Sequence, residues 1–169
     1  TSKSSYKRSQ NDGLLLGLLA IYFIIQLALP LRHWFFTDDV LWTEEGHRLS
    51  WRMMLRSKSG RVAIWVADKK NGKKRRYNHR ILLKNKQRYS FKTKPDMMWQ
   101  LAKRIKDIEA EKGIDAAVYI DAKVQVNGGP FHQFTDPNVD IAAQEWQHFK
   151  HNQWILPSPV DYHKKDDLK

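Results

Sequence analysis

Residues 116–128 read AAVYIDAKVQVNG, and the alternation within them decides the fold. Val118, Ile120, Ala122, Val124 and Val126 fall to one side, and Tyr119, Asp121, Lys123 and Gln125 to the other. A period of two places successive side chains on opposite faces of a sheet, so this is a strand with one buried face. Asn127-Gly128-Gly129 is a tight-turn signal that returns the chain through Phe131 and Phe134 as an antiparallel partner.

Upstream of this strand, Pro95 opens a helix in which Met98, Leu101, Ile105 and Ile108 recur at three and four residues, and Gly113 supplies the stop. Earlier still, Arg61 to Ala67 alternates, with Val62, Ile64 and Val66 opposite Ala63, Trp65 and Ala67, as in a strand partly buried on both faces. Ser59-Gly60 reads as a turn before it. Asp68 to Gly72 reads as a hairpin turn, and Lys74 to Leu83 as the return strand. Downstream, Asp136-Pro137 can start a short helix in which Val139, Ala142, Trp146 and Phe149 share a face; Trp154 to Tyr162 is a proline-broken tail. Two hairpins around few helices predict an α+β fold, an antiparallel, β-rich and sandwich-like domain with short helices.

Ahead of this domain lies GLLLGLLAIYFIIQLALPL, residues 13–31, without one charge in a chain of formal net charge +12. About twenty apolar residues cross a bilayer, and apolarity on all sides of the helix suits lipid better than a protein core. The chain divides into a polar loop (1–12), a transmembrane helix (13–31), a connecting aromatic segment (32–60), the β-rich domain (61–157) and a tail (158–169). The polar start reads as a trimmed loop or the continuation of a larger chain. Lys3, Lys7 and Arg8 before the apolar run favour a cytoplasmic start and an extracytoplasmic domain, an integral-membrane placement with lipid as a partner. In the connecting segment, Thr37-Asp38-Asp39 is a turn, Thr43 to Glu45 can cap a helix, and Leu49, Trp51, Met53 and Leu55 can line one. Our reading is a loop through Gly46 and then an irregular or strand-like entry. The absence of cysteine removes disulfides, thiolate metal sites and cysteine nucleophiles.

Positive charge is concentrated. Between Arg56 and Lys94 stand fifteen Lys or Arg residues against one acid, Asp68, a segment net of +14 that leaves −2 for the rest. Lys69, Lys70, Lys73, Lys74, Arg75 and Arg76 form its centre. This is a solvated hairpin surface or one that meets anionic lipid headgroups or an acidic peptide. No recognition helix or RNA-binding signature accompanies it, so nucleic acid is not an expected partner. Catalytic motifs are sparse: no HExxH, GxSxG or P-loop occurs. His148 and His151, at i and i+3, read as exposed helix-end histidines rather than metal ligands, and no metal is expected. Asp121, Asp136 and Asp140 read as structural caps. Trp42 and Trp51 suit a core or interfacial belt, or an apolar ligand surface.

Three stretches carry a resemblance: QLALPLRHWFFTDDVLWTEEGHRLSWRMML from Gln26, VYIDAKVQVNG from Val118, and FTDPNVDIAAQEWQHFKHNQWILP from Phe134. Together they resemble the C-terminal region of the vitamin K-dependent gamma-carboxylase family, especially its bacterial, HTTM-type relatives, over about Gln26 to Pro157. The resemblance implies a lyase of multi-pass architecture whose last spanning helix feeds an extracytoplasmic domain. Such enzymes oxidise a reduced vitamin K-type quinone to its epoxide, consume oxygen and carbon dioxide, and carboxylate glutamate in a peptide substrate.

In that family the segment after the last membrane helix is associated with the substrate glutamate. Its LPxxH pattern maps to Leu29, Pro30 and His33, with Trp42 and Trp51 following. Leu31 stands where animal members carry a tyrosine. The resemblance places the base lysine upstream, in a membrane region of the same or a companion polypeptide, so no catalytic residue is assigned here and no cofactor is expected on this chain alone. Arg32, His33 and Arg52 can neutralise a substrate carboxylate, with Arg32 equally suited to anchoring at headgroups. The competing functional class is a noncatalytic, membrane-tethered basic domain that captures an acidic peptide or anionic lipid.

Overall fold

The computed structural model describes residues 11–36, 38–45, 47 and 56–159, and for residues 11, 32 and 33 their backbone alone. Helix α1 spans Asn11–Leu31, with Pro30 in its last turn, where it has no amide to bond the carbonyl four residues back and helps to end the helix. Residues 12–31 are long and apolar enough to cross a membrane, and their apolar side chains stand exposed within the protein. Among the described residues, one helix long enough to span a membrane is thus followed by a folded domain. A 3-10 turn, Arg32–Phe35, leaves it, and Trp34 and Phe35 there are exposed, the arrangement of aromatic anchors at a membrane interface.

The domain is one antiparallel four-stranded sheet in the order β2-β1-β3-β4, built from β1 (Lys58–Asp68), β2 (Lys74–Arg76), β3 (Ala116–Val126) and β4 (His132–Gln133). Strands β1 and β3 pair over eleven residues each, Lys58 opposite Val126 and Asp68 opposite Ala116. The register brings Ile64 opposite Ile120 and Val66 opposite Val118, so the two apolar faces expected from alternation become one. Helix α4 (Pro95–Glu111) covers that face with Met98, Leu101, Ala102 and Ile105, all buried with Phe91 and Phe134 in the same core. The layer facing the sheet is therefore helix. Gly113 at φ +76 ends α4 in the left-handed region that glycine adopts without penalty.

Several local expectations change. Ser59 and Gly60 lie inside β1, opposite Gln125 and Val124. Gly60 is required there because a Cβ would sit 2.1 Å from the carbonyl oxygen of Lys92. The return strand stops at Arg76. The Tyr77 amide still donates to the Ile64 carbonyl (2.8 Å), but the Asn78 side chain then accepts from the Arg80 amide and starts a 3-10 turn at His79–Ile81. Helix α3 (Asn85–Ser90) follows where strand was expected to end. The loop expected through Gly46 contains a short helix, α2 (Val40–Thr43), capped by Asp39, whose carboxylate accepts from the Leu41 amide at 2.7 Å.

Among the described residues after Pro137, only Ile141–Ala143 forms a turn of 3-10 helix. Asp136 closes a local turn on the Asn138 amide, Asp140 is drawn away to the Val118 amide (2.9 Å), and Trp146 lies between Trp99 and Trp154. These distant contacts replace the helix, and Phe149 is exposed instead of joining an apolar face. The proline-broken tail begins as core: Trp154 and Ile155 are buried, and Leu156 donates to the Phe134 carbonyl. Trp51, Arg52, Leu49, Met53 and Leu55 lie outside the described residues.

Candidate functional site

The segment joining membrane helix to sheet is held by two buried charge clusters, both centred on neighbouring acids. Trp42, fully buried, fixes the segment first: its indole N–H donates to the Leu156 carbonyl at 2.8 Å, and its ring meets Phe134 edge-on at 5.4 Å. Asp38 accepts from the Ser158 amide at 3.1 Å. The C-terminal stretch is thus a strap across the connecting segment.

Glu44 follows in a left-handed conformation (φ 58) that turns its carboxylate toward Arg56 Nη2 at 2.5 Å and Lys58 Nζ at 3.5 Å. Lys58 also donates to the carbonyls of Trp42 and Thr93, and its ammonium lies 4.5 Å from the Phe134 ring centre. Burial disfavours its charge more than Glu44 restores it, and Arg56 adds repulsion, so its pKa falls to about 7. An amine titrating near neutrality has the acid–base range of a general base. Here it is enclosed by rings and carbonyls, and it ties the Trp42, β1 and Thr93 backbones together.

Glu45 makes the second cluster. It is buried, accepting from the Asn152 amide (2.9 Å), the Asn152 side-chain amide (2.6 Å) and His151 Nδ1 (2.6 Å). His151 Nε2 lies 3.0 Å from the Ile155 carbonyl oxygen, so both ring nitrogens face acceptors. The ring thus bridges Glu45 of the connecting segment to the backbone of the C-terminal strap. The expected exposed helix-end role for His151 is corrected: it lies on no helix and is half-buried, whereas His148 is exposed. Neither cluster was legible as a site, since Glu44 and Glu45 meet partners 12 to 107 residues away. The only signal was an adjacent acidic pair beside a basic stretch.

Of the residues singled out at the membrane exit, Pro30 is buried, Leu29 is 38% exposed, and Arg32 and His33 are in the 3-10 turn with their side chains outside the description. Trp42 lies in the domain core. The basic hairpin splits. Lys69 pairs with Asp140 at 3.3 Å, Arg75 with the buried Glu109 at 2.6 Å, and Lys74 lies over the Tyr119 ring at 4.6 Å. Burial alone would raise the Glu109 pKa, but hydrogen bonds from Arg75 and Lys112 outweigh it and hold it below the ordinary value. Lys70 and Lys73 are exposed on the turn. Asp121 accepts from the Gln133 amide side chain at 2.8 Å, a structural link like those of Asp136 and Asp140.

Arg76 belongs elsewhere. It opens onto a groove of about 880 Å³ between β1, the 3-10 turn at His79–Ile81 and α3, also lined by Arg61, Arg80, Arg88 and Lys92. Among the described residues, no carboxylate lines it. Burial lowers the pKa of His79 in its wall, and Arg80, Lys92, Arg76 and Arg88 lower it further. Among the described residues, no group of three or more His, Asp or Glu is placed to hold a metal ion.

With this geometry in hand, the family model for the vitamin K-dependent gamma-carboxylase lumenal domain matches residues 11–161. The chain belongs to that family. No solved structure matches it. The gamma-carboxylase match begins where α1 begins and continues through the strap, so spanning helix, connecting segment and sheet fall within a single family unit. Both acid-centred clusters of this gamma-carboxylase domain lie inside that span.

Proposed function

We propose that this chain is the C-terminal part of a vitamin K-dependent gamma-glutamyl carboxylase-like membrane enzyme, of the bacterial, HTTM-type branch. The complete enzyme couples epoxidation of a reduced vitamin K-type quinone to carboxylation of glutamate in a peptide, a carbon–carbon lyase chemistry that uses oxygen and carbon dioxide. The observation that carries this reading is the family match running unbroken from the spanning helix to the strap, residues 11–161.

The groove at Arg76 and Arg80 is cationic, which suits an anion and not an isoprenoid quinone. The quinol therefore belongs to the membrane region that precedes this segment in the family, and no step through it is assigned to these residues. This chain's own contribution is to the peptide. Arg32, His33 and Arg52, at the end of the helix and in the connecting segment, offer hydrogen bonds to a substrate carboxylate; Leu29, Pro30 and Trp51 provide apolar contacts beside it. A membrane-edge position limits water at the reacting carbon. Trp42, Glu44 and Glu45 hold that segment in register with the sheet, positioning the site without touching substrate. The domain lies outside the cytoplasm, with residues before α1 inside.

The full-length protein, supplied with reduced quinone, oxygen and labelled carbon dioxide, should yield quinone epoxide and labelled glutamate in a peptide. Absence of both products from a folded full-length preparation would sink the carboxylase reading. Arg32→Gln should lower peptide labelling while leaving quinone consumption largely intact. Labelling a cysteine introduced at Asn71 in sealed vesicles checks the placement, since protection from an outside-only reagent in right-side-out vesicles reverses the topology.

A further inference from the structure

The strongest unassigned feature is the cationic groove. Its five cations surround one hollow with no carboxylate partner among the described residues, and Arg88, Arg61 and Lys92 are held in place by neutral contacts. Arg88 donates to the Leu83 carbonyl (2.9 Å), the Arg80 carbonyl (2.7 Å) and Asn85 Oδ1 (3.2 Å), which orients its guanidinium and leaves its charge uncompensated. Arg61 stacks on Phe131 at 4.2 Å, and Lys92 sits 5.7 Å from the Tyr89 ring. Gly60 allows the Lys92 backbone to lie directly against β1, which closes one wall. Holding several like charges around one hollow is unfavourable unless an anion shares it.

A second observation concerns the same segment. Ile81 and Tyr89 are 72% and 79% exposed. They flank Arg80 and Arg88 in sequence, one on the 3-10 turn and one on α3. An exposed aliphatic and an exposed tyrosine beside a row of cations is the composition of an interfacial membrane contact: apolar groups enter the headgroup–acyl boundary while cations meet phosphate. A soluble acidic peptide would use the cations and leave Ile81 and Tyr89 in water. The chain also carries its own spanning helix, which keeps the domain at high effective concentration near a bilayer, so individually weak contacts suffice.

We propose that residues 79–92, with Arg61 and Arg76, form a docking face for an anionic phospholipid bilayer, in which the groove takes lipid phosphate headgroups and Ile81 and Tyr89 enter the interface. This surface is distinct from the hairpin tip, where Lys69, Lys74 and Arg75 are already engaged. It rests on the sheet domain's geometry and is independent of whether the enzyme carboxylates glutamate.

The test uses the full-length protein in nanodiscs of phosphatidylcholine with or without phosphatidylglycerol. Amide hydrogen exchange across 79–92 should slow by roughly tenfold or more when phosphatidylglycerol is present, and the protection should shrink as salt is added. Arg76→Gln/Arg80→Gln and, separately, Ile81→Ser/Tyr89→Ser should each remove most of that protection. Arg104→Gln, exposed on helix α4 and outside the groove, should not. All four substituted positions are exposed, and unchanged exchange in β3 verifies that the fold is kept. Equal protection in both nanodiscs, or no protection in either, overturns the proposal. So does protection of 79–92 in phosphatidylcholine nanodiscs by inorganic phosphate or by polyglutamate, since the groove would then serve a soluble anion or an acidic peptide.

Discussion

Lys58 and Arg80 stand on the same basic stretch, yet the protein treats the two regions they represent in opposite ways. Around Lys58 and Arg56, positive charge is buried and tied to Glu44, and it holds the connecting segment to the sheet. Around Arg80, positive charge is exposed, arranged about a hollow and, among the described residues, without a carboxylate. The difference separates charge that serves the fold from charge that is available to a partner. A buried cation must be matched inside the molecule, because leaving it alone in a low-dielectric site costs far more than the pair gains. An exposed cation is solvated, contributes little to stability, and is free to be spent on binding.

The comparison is broken most forcefully at its buried end. Glu44→Gln keeps the shape of the side chain but leaves Lys58 and Arg56 without that carboxylate, and should destabilise the domain by ~3–5 kcal/mol in thermal or denaturant unfolding followed by tryptophan fluorescence. A loss below about 1 kcal/mol would place this cluster with the solvated charges.

The next effect is one of pH. Lys58 has a folded-state pKa of about 7 against 10.5 for the unfolded chain. Between those values the unfolded state holds a proton that the folded state has released. Stability should therefore rise with pH from about 7 and level off near 10.5, while below 7 the full cost of burying the ammonium persists. The slope attributable to this one group approaches about 1.4 kcal/mol per pH unit. The difference between the wild type and Lys58→Met isolates it from other titrating groups, and parallel stability–pH curves for the two proteins would contradict the assignment.

The smallest effect belongs to the groove. Arg76→Gln and Arg80→Gln should each change stability by no more than about 0.5 kcal/mol, with a slight gain at low ionic strength as mutual repulsion is relieved. A loss comparable to that of Glu44→Gln would show that the groove cations are structural after all.

What was legible in the sequence follows the range of the forces involved. Strand β3, helix α4 and the spanning helix each declare themselves in periodicity, because one local stretch presents a whole face to one environment. The hairpin turns at Asp68–Gly72 and Asn127–Gly129 were also readable, since glycine and asparagine carry their conformational preference with them. The helix expected after Pro137 was not formed, because Asp140 is claimed by Val118 and Lys69 and Trp146 by Trp99 and Trp154. Ser59-Gly60 looked like a turn and is strand, because the glycine answers a carbonyl contributed by Lys92 and not a local reversal.

By itself, then, the sequence determined that this protein has an apolar spanning helix, an antiparallel α+β domain and a concentrated positive charge, all properties of composition and short-range order. Only the tertiary structure decided which charges are consumed and which remain. Glu44 reaches Arg56 and Lys58 further along the chain, Glu45 reaches Asn152 near the other end of the sequence, and Glu109 on α4 claims Arg75. Periodicity records which face of an element is buried; it carries no information about the partner waiting there. The groove at Arg61, Arg76, Arg80, Arg88 and Lys92 exists because strand, turn and helix converge on cations to which no described residue supplies an acid.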